Sequence, residues 1–299
     1  MKQGLLEGLF QRRLIGEHGA DFALTSIENI DPSQEGGTEV FSVYLHPLST
    51  HPYIKNGAER KKSIDAGVQT WGAAGYCPIV KFADGSSYIA ALYRDSDAPS
   101  WPDTFTPASG LSHLIDDKAE RIRETGDREY REELIFINGK QPGAVIHDGT
   151  KYVPLLNEIT VPQRRIDDRK TRIDVYQDDK LIDVVYPFAI AWGTPSDTVT
   201  TVIDVCVLYP GDLIPPEYIH IANGEIVGGG EIFTRTVALL GFDGLMNGRT
   251  TPIIKYKTNV ETDELSIERS ELGADKIKMA YPLQVAIDKL RTSHTELDI

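Results

Sequence analysis

Three glutamates in one short charged segment have the spacing to hold a divalent cation. On a helix, Glu129, Glu132 and Glu133 would project from neighbouring positions of one face. Like charges at this spacing destabilise an isolated helix, so a compensating positive charge is expected. Mg²⁺ and Mn²⁺ prefer carboxylate oxygens and also bind phosphate oxygens, so the pattern predicts a cation-centred clamp for a diphosphate. The alternative is a solvated helix face whose charge is neutralised by Arg128 and Arg131.

A longer charged pattern surrounds these glutamates. Glu120 is followed by seven residues, then by Arg128-Glu129, two further residues, and Glu132-Glu133. This register resembles the signature of the Nudix hydrolase superfamily, which also has one glycine before the first glutamate and another after the last. The strict match covers about residues 102–136, and its five agreeing charged positions make it fairly specific although short.

The resemblance implies a role for each of these charged residues. Glu129, Glu132 and Glu133 would bind Mg²⁺ or Mn²⁺, and Glu132 or Glu133 would also orient or deprotonate the attacking water. Arg128 would orient the glutamates and pair with Glu120. The carboxylates, the cation and the diphosphate of the substrate would then form one electrostatic centre.

Four further residues are weaker candidates for the same site. By the resemblance, the backbone carbonyl of Gly110 would be a metal ligand, and Glu231 would supply an additional carboxylate from a later strand. Arg94 could reach a diphosphate, and Trp101 could stack on a base. A solvent-facing position is the simpler explanation for Glu231 and Arg94, and core packing is the simpler explanation for Trp101.

The segment departs from the family pattern at three glycine positions. The leading glycine is replaced by Leu114, so Gly110 is the nearest candidate and the loop is four residues longer. The trailing glycine is replaced by Ile135, and a β-branched residue does not readily take the left-handed conformation that ends many helices. Gly126 lies inside the segment at a cost of about 1 kcal/mol relative to alanine, which predicts a break in the helix.

The rest of the chain predicts a sheet-rich fold with few helices. Two β-rich runs, 77–82 and 87–94, flank an Asp-Gly pair and predict a hairpin. Pro282 predicts the start or a kink of a helix. Few helices, far apart in sequence, favour a mixed sheet with packed helices over regular βαβ winding. Three further segments are predicted as a loop over 95–110, a charged helix over 116–134 and a C-terminal helix over 270–290.

The resemblance also implies the fold class and the domain organisation. The expected class is α+β, an α/β/α sandwich of Nudix-like fold with a mixed β-sheet, an N-terminal extension and an internal insertion. Residues 1–70 would form the extension or a subdomain, and 71–299 the Nudix-like hydrolase domain, with the insertion at about 138–185. The extra segments would shape the substrate pocket or contribute to dimerisation.

Composition narrows the classes of function that remain. The chain has 299 residues and a formal net charge of −14, which argues against general binding of nucleic acids or anionic membrane surfaces. Two cysteines, Cys77 and Cys206, stand far apart in apolar surroundings, which predicts buried free thiols rather than a disulfide framework or a zinc site. With no apolar run long enough for a membrane span, the expected location is the cytoplasm.

Together the motif and its resemblance predict an enzyme. The expected reaction is the Mg²⁺-dependent hydrolysis of a diphosphate linkage in a nucleoside diphosphate joined to another moiety, such as ADP-ribose, a nucleotide sugar or a dinucleotide. The expected partner is this small molecule, with no nucleic acid and no membrane, and the resemblance is compatible with a homodimer. Two alternatives remain open: a non-catalytic Nudix-fold module that binds nucleotides or regulates, and an α+β interaction protein whose charged helix is only solvated.

Overall fold

A computed structural model describes most of the chain, and β-strands dominate it. The described residues are 25–27, 33–47, 69–82, 84–94, 96, 101–111, 114–115, 118–133, 135–138, 145–147, 152–154, 163–166, 169–192, 199–208, 219–222, 226–227, 231–232, 236–259 and 264–294. In this part of the chain no helix has the length and apolar character needed to cross a membrane.

Strands outnumber helices throughout these described ranges. The strands are β1 (Thr25–Ile27), β2 (Ser33–Glu35), β3 (Thr38–Pro47), β4 (Gln69–Lys81), β5 (Ser87–Arg94), β6 (Thr104–Thr106), β7 (Ala108–Leu111), β8 (Leu114–Ile115), β9 (Lys118–Ala119), β10 (Ile135–Asn138), β11 (Val145–His147), β12 (Tyr152–Pro154), β13 (Gln163–Ile166), β14 (Thr171–Gln177), β15 (Lys180–Val185), β16 (Ala189–Ala191), β17 (Val199–Leu208), β18 (Ile219–Ala222), β19 (Ile226–Val227), β20 (Glu231–Ile232), β21 (Thr236–Gly241), β22 (Thr250–Asn259) and β23 (Glu264–Gly273). The described helices are α1 (Ile122–Glu133), α2 (Phe242–Met246), a 3₁₀ turn (Ala274–Lys276) and α3 (Tyr281–Ser293).

One mixed sheet organises the molecule. Its main path runs β15-β14-β3-β1-β4-β5-β21-β22-β23, and β17 lies beside β4. The β3–β14 and β4–β17 pairs are parallel, whereas β4–β5, β5–β21, β21–β22 and β22–β23 are antiparallel. The predicted mixed sheet with few helices is therefore confirmed.

The hairpin predicted around the Asp-Gly pair is present. β4 and β5 pair antiparallel, with Ile79 opposite Ile89. In the connecting turn Gly85 has a φ of 87°, a left-handed conformation that glycine adopts without steric cost. The Asp84 side chain accepts hydrogen bonds from the backbone N–H and the hydroxyl of Ser86, at 2.9 and 2.6 Å. A local turn signal therefore sufficed to predict this element.

Three predictions of secondary structure need correction. The predicted loop over 95–110 contains β6 and most of β7, because these short strands pair with β5 and β4. The helix predicted over 270–290 begins only at Tyr281, with Pro282 in its first turn, because Glu264–Gly273 pairs with β22 as β23. The charged helix predicted over 116–134 begins only at Ile122, because Lys118–Ala119 pairs with β8 as β9, and it continues through Gly126 without a break, because this glycine lies close against β4.

Apolar side chains fill both faces of the sheet. One face carries alternate residues of β4, β5 and β17, such as Ile79, Ile89 and Val205, and packs against α3. The other face carries the intervening residues, such as Val80 and Leu92, and α1 lies across its β4 and β7 strands. Strand alternation thus assigns α1 and α3 to opposite faces.

Segments on both sides of the predicted domain boundary contribute strands to this sheet. Strand β1 pairs with both β3 and β4, and β14 pairs with β3. Val43 of β3 and Ile173 of β14 pack in one cluster with Ile122, the first residue of α1. The division near residue 70 stays a prediction.

The two cysteines are free and buried, as predicted. Burial raises the pKa of the Cys77 thiol to about 12 and also raises the pKa of the Cys206 thiol. Reactive or metal-binding cysteines depend on the thiolate, which this environment disfavours. Both thiols therefore act as small apolar side chains of the core.

Candidate active site

Helix α1 presents the charged motif to the sheet, and its first turn is capped by its own sequence. The backbone N–H of Arg121, just before the helix, donates to the Glu124 carboxylate at 3.2 Å. A glutamate at the third helical position that reaches back in this way is half of a capping box. The amide of Thr125 closes the first turn on the Arg121 carbonyl at 2.9 Å. The helix start is thereby fixed two residues after Glu120.

The buried side of α1 carries a carboxylate. Its buried residues Ile122, Thr125, Gly126 and Glu129 recur at the spacing of one helical face. A stripe of this kind normally consists of apolar side chains, but here Glu129 is only 9% exposed. A charged group at such depth requires compensating partners.

Gly126 explains why the helix can lie so close to the sheet. A Cβ at this position would be 3.3 Å from Cε2 of Tyr76 on β4, which is tighter than ordinary contact. The missing side chain permits close packing of α1 on β4, and that packing offsets the weak helix propensity of glycine. The predicted break at Gly126 is therefore wrong.

Gly110 and Glu129 are in direct contact. Gly110 lies in β7, opposite Ala74 of β4. A Cβ built on Gly110 would overlap the carboxylate of Glu129, so only glycine leaves room for this carboxylate against the strand. The structure thus brings together two residues that the resemblance gave as metal ligands, and their role as ligands stays a prediction.

Glu120 lies beside the helix rather than on it. It is 9% exposed and precedes the first residue of α1. Its Oε2 accepts a hydrogen bond from the Thr125 hydroxyl at 3.0 Å, and Thr125 is itself fully buried. Glu120 therefore ties the entry of the chain to the first turn, and its predicted pairing with Arg128 stays a prediction.

The remaining motif residues are described at the level of the backbone. Arg128, Glu132 and Glu133 all belong to α1, so the helical spacing assumed for them is present. The structure describes the backbone of these three residues but not their side chains. Among the described side chains, which do not include those of Glu132 and Glu133, no group of three or more His, Cys, Asp or Glu residues could hold a metal.

Two departures from the family pattern have structural explanations. After α1 the chain enters β10 at Ile135, which pairs with Ala222 of β18. Ile135 is therefore extended, a conformation that suits a β-branched residue, and no left-handed glycine is needed there. The lengthened loop before Glu120 contains the β8–β9 pair, in which Leu114 lies opposite Ala119.

Arg94 and Trp101 lie near the end of the sheet that carries Gly110. Arg94 of β5 pairs with Thr104 of β6, and Gly110 of β7 pairs with Ala74 of β4, at the end of the hairpin away from its turn. Arg94 follows Leu92 by two residues, so alternation directs it to the face that α1 covers. Trp101 is partly buried with a φ of 53°, and its carbonyl accepts the Thr104 hydroxyl at 2.6 Å.

Glu231 is not brought to this site by the described pairings. It lies in β20, which pairs only with β19 in a separate two-stranded sheet within the described chain. Its side chain is outside the described residues, so its proposed role as an extra carboxylate stays a prediction.

A group of polar residues that the sequence did not reveal flanks α1. This polar flank consists of Arg123 and Asp127 on the helix with Tyr76, Arg165 and Asp204 on β4, β13 and β17. The Tyr76 hydroxyl donates to Asp127 Oδ1 at 2.7 Å, and Arg165 forms an ion pair with Asp204. One signal was present: an aspartate within the otherwise apolar and threonine-rich strand β17.

Electrostatics within the polar flank follow from burial. Asp204 is 5% exposed, and burial raises its pKa, an effect that Arg165 and Arg123 partly offset. Burial and the hydrogen bond to Asp127 raise the pKa of the Tyr76 hydroxyl, which keeps this hydroxyl a donor. The Tyr76 ring also meets the Tyr130 ring edge-on, with centroids 5.7 Å apart.

The donors near Gly110 fit a hard divalent cation. The Glu129 carboxylate occupies the space beside the Gly110 backbone that a side chain would fill. Carboxylate and carbonyl oxygens are the donors that Mg²⁺ and Mn²⁺ prefer. The residues present are therefore compatible with the predicted ion.

Comparisons with known proteins give a distant structural similarity and no match in sequence. No protein-family model matches the sequence, and no curated protein matches it. Among solved structures it is similar to the crystal structure of a Nudix hydrolase from M. smegmatis, RenU, with a TM-score of 0.31 and 9% identity over 76% of this chain and 88% of that chain. A TM-score this low does not establish a shared fold, so the function has to follow from this chain's own residues.

Proposed function

We propose that this chain is a Nudix-type hydrolase that cleaves the diphosphate linkage of a nucleoside diphosphate joined to another moiety. The observation that carries the proposal is the contact between the Gly110 backbone and the Glu129 carboxylate. The resemblance gave both residues as ligands of one metal ion, although they belong to different elements and the loop before the helix is longer than in the family pattern. The fold proposed with it is an α/β/α sandwich, since α1 and α3 lie on opposite faces of one sheet.

The carboxylates of α1 would hold Mg²⁺ or Mn²⁺. Glu129, Glu132 and Glu133 would supply carboxylate oxygens, and Gly110 would supply its backbone carbonyl. When bound, the ion neutralises phosphate charge and lowers the pKa of an attacking water. Arg128 would orient the glutamates, as the resemblance implies.

The protein's own part in the reaction is to position and deprotonate the water. Glu132 or Glu133 would take the proton as the water oxygen bonds to one phosphorus. The bridging oxygen would leave with the other phosphorus and be protonated, which gives two phosphate monoesters. Arg94 would oppose the negative charge of the diphosphate from the same face and end of the sheet.

A turnover assay tests this function. The full chain is incubated with ADP-ribose, NADH, nucleotide sugars, dinucleoside polyphosphates and an oxidised nucleoside triphosphate, each with Mg²⁺ or Mn²⁺. New phosphate monoesters are measured by ³¹P NMR. We expect release of two phosphorylated products from at least one substrate, and no release when the divalent cation is chelated.

A matched pair of variants tests the residue assignment. Glu132→Gln should lower turnover by about 10²–10⁴-fold, because a neutral amide can neither take the proton nor balance the cation. Glu124→Gln, on the exposed side of the same helix, should keep turnover because glutamine preserves the cap to Arg121. Unchanged turnover in Glu132→Gln would contradict the assignment.

The non-catalytic nucleotide-binding module is the other outcome of this assay. Tight nucleotide binding without product release would support it and overturn the enzyme. The departures that favoured it, Ile135 and the lengthened loop, are both accommodated by strands. A cytoplasmic location, a homodimer and the insertion at about 138–185 stay predictions.

A further inference from the structure

Tyr76 contacts α1 along one side through three neighbouring positions. Its hydroxyl donates to Asp127 Oδ1 at 2.7 Å, and its ring meets the Tyr130 ring edge-on. The same ring lies against the backbone of Gly126, where a Cβ would approach it to 3.3 Å. One side chain of the sheet thus fixes the side of the helix formed by Gly126, Asp127 and Tyr130.

Glu129 projects from the opposite side of α1. Successive residues of a helix are turned by about 100° around its axis, so Asp127 and Glu129 differ by about 200°. Gly126 lies between these two directions, against the sheet. The polar flank therefore lies on one side of α1, and the contact between Glu129 and Gly110 lies on the other side.

The described side chains of α1 bury little apolar area against the sheet, and apolar contacts resist rotation of a helix about its axis less specifically than hydrogen bonds do. Ile122, in the first turn, is the one fully buried large apolar residue among the described side chains of α1. The next buried positions are Thr125, Gly126 and Glu129, which offer little apolar area. In the later turns Tyr130 packs against the apolar cluster of this face, and the Tyr76–Asp127 hydrogen bond adds a directional contact that favours one rotation of the helix.

A small rotation of α1 about its own axis would displace the carboxylates that it carries. Side-chain ends lie about 5–6 Å from a helix axis, so a roll of about 10° moves a carboxylate by about 1 Å. A displacement of that size at a reacting centre can lower a rate by about 10²-fold.

We propose that Tyr76 and Asp127 are positioning residues: their hydrogen bond sets the rotation of α1 on the sheet and thereby places the Glu129 carboxylate against Gly110. The inference rests on the proposed function, to which it adds two residues that the motif does not specify: Tyr76, outside the matched segment, and Asp127, within its variable positions. Neither residue touches the substrate, and both act through the helix.

Charge complementarity across the polar flank supports this role. Arg123 and Asp127 are four residues apart, so both lie on the same side of α1. Asp204 is the register partner of Tyr76 in the neighbouring strand, and the positive charge of Arg123 acts on it. A positive and a negative helix residue therefore face a carboxylate and a hydroxyl of the sheet, an arrangement that a rolled helix would lose.

The test removes the hydroxyl while keeping the ring. Tyr76→Phe in the full chain should weaken Mn²⁺ binding, measured by electron paramagnetic resonance without substrate, by about tenfold. It should lower kcat by about 10- to 100-fold with little change in KM, because substrate contacts are unaltered. Amide exchange of residues 122–133 should quicken, while that of α3 should not change.

Three further variants separate positioning from general destabilisation. Tyr88→Phe makes the same chemical change on the same face of the sheet and should alter none of these quantities. Asp127→Asn keeps an acceptor oxygen and should retain most Mn²⁺ affinity, whereas Asp127→Ala should lose as much as Tyr76→Phe. The double variant Tyr76→Phe/Asp127→Ala should be no worse than either single change, since both remove one interaction.

The outcomes distinguish this inference from the proposed function. Unchanged exchange in α1 of Tyr76→Phe, or faster exchange with unchanged Mn²⁺ affinity, would overturn the positioning role. If the unaltered chain neither binds Mn²⁺ nor releases product, the proposed function fails, and the site that these residues are said to position fails with it. If the chain binds Mn²⁺ but releases no product, the proposed hydrolase activity is overturned. The Mn²⁺ affinity of the variants then still tests the positioning role of Tyr76 and Asp127.

Discussion

Helices α1 and α3 lie on opposite faces of one sheet and are attached to it in different ways. Leu283, Ala286, Ile287 and Leu290 of α3 are all fully buried in an apolar cluster. The buried stripe of α1 contains Ile122 but continues with Thr125, Gly126 and a glutamate. Apolar burial is non-directional and scales with area, whereas hydrogen bonds and close backbone contacts fix particular atoms.

The difference suggests a division of roles between the two faces. The α3 face contributes stability through apolar area removed from water. The α1 face gives up part of that stability, because Glu129 and Asp204 are charged groups at 9% and 5% exposure. The same face holds the Glu129 carboxylate against the backbone of Gly110. Strain or cost of this kind is common where the structure serves a site.

The largest effect should come from the α3 face. Leu290→Ala deletes a fully buried side chain and should lower the free energy of unfolding by about 2–5 kcal/mol, measured by urea denaturation. Below the melting transition, the folded variant should bind Mn²⁺ as the unaltered chain does. Thr292→Ala, on the exposed side of α3, should change stability by less than about 0.5 kcal/mol. A Mn²⁺ affinity that fell with Leu290→Ala would contradict the division between faces.

Gly110→Ala should lower stability less than Leu290→Ala does, but it should lower turnover strongly. The added methyl overlaps the Glu129 carboxylate, which must move from the strand. We expect turnover to fall by about 10²-fold, since a displacement near 1 Å suffices for that loss. The cost in folding should be about 1–3 kcal/mol, as for an overpacked core.

A second glycine provides the control for Gly110→Ala. Gly244→Ala also forces a clash, against the backbone of Thr250 and Thr251, but in α2, away from α1. It should lower stability and leave the Mn²⁺ affinity of the folded protein unchanged. Equal losses of Mn²⁺ affinity in the two variants would show that Gly110 has no special relation to the site.

Much of the sheet and the spacing of the motif could be predicted because their signals are local. The Asp-Gly turn predicts the β4–β5 hairpin, and Pro282 marks the start of α3. Strand β23 was missed because its exposed, charged residues resemble a helix surface, and only pairing with β22 makes it a strand. Gly126 was misjudged for a similar reason, since its value lies in the contact with Tyr76.

The candidate site shows the same limit more sharply. The resemblance gave Gly110 and Glu129 as ligands of one metal ion, and the two residues are in contact in the structure. The Tyr76–Asp127 hydrogen bond has no such pattern, because it depends on how α1 lies across β4. Asp204 alone could have been singled out, as a charge within a buried strand.

The smallest effect should be a pH dependence that originates on the α1 face. Burial raises the pKa of Asp204 above its ordinary value of 3.8, and the ion pair with Arg165 offsets only part of that rise. In the pH range between the ordinary and the raised pKa, the folded state binds a proton that the unfolded chain has released. The contribution of Asp204 to the free energy of unfolding therefore falls as pH rises from about 4. Above the raised pKa the whole loss of stability remains.

Asp204→Asn removes that titration while preserving shape. The free energy of unfolding of the variant, relative to the unaltered chain, should increase as pH rises from about 4 and be lowest at acid pH. Asp84→Asn serves as the control of opposite sign, because hydrogen bonds from Ser86 lower the pKa of Asp84 and its stabilisation is lost as pH falls. If the relative free energies of unfolding of both variants changed with pH in the same direction, burial beneath α1 would not disfavour the charged form of Asp204. The cost in stability assigned to the α1 face would then not come from Asp204.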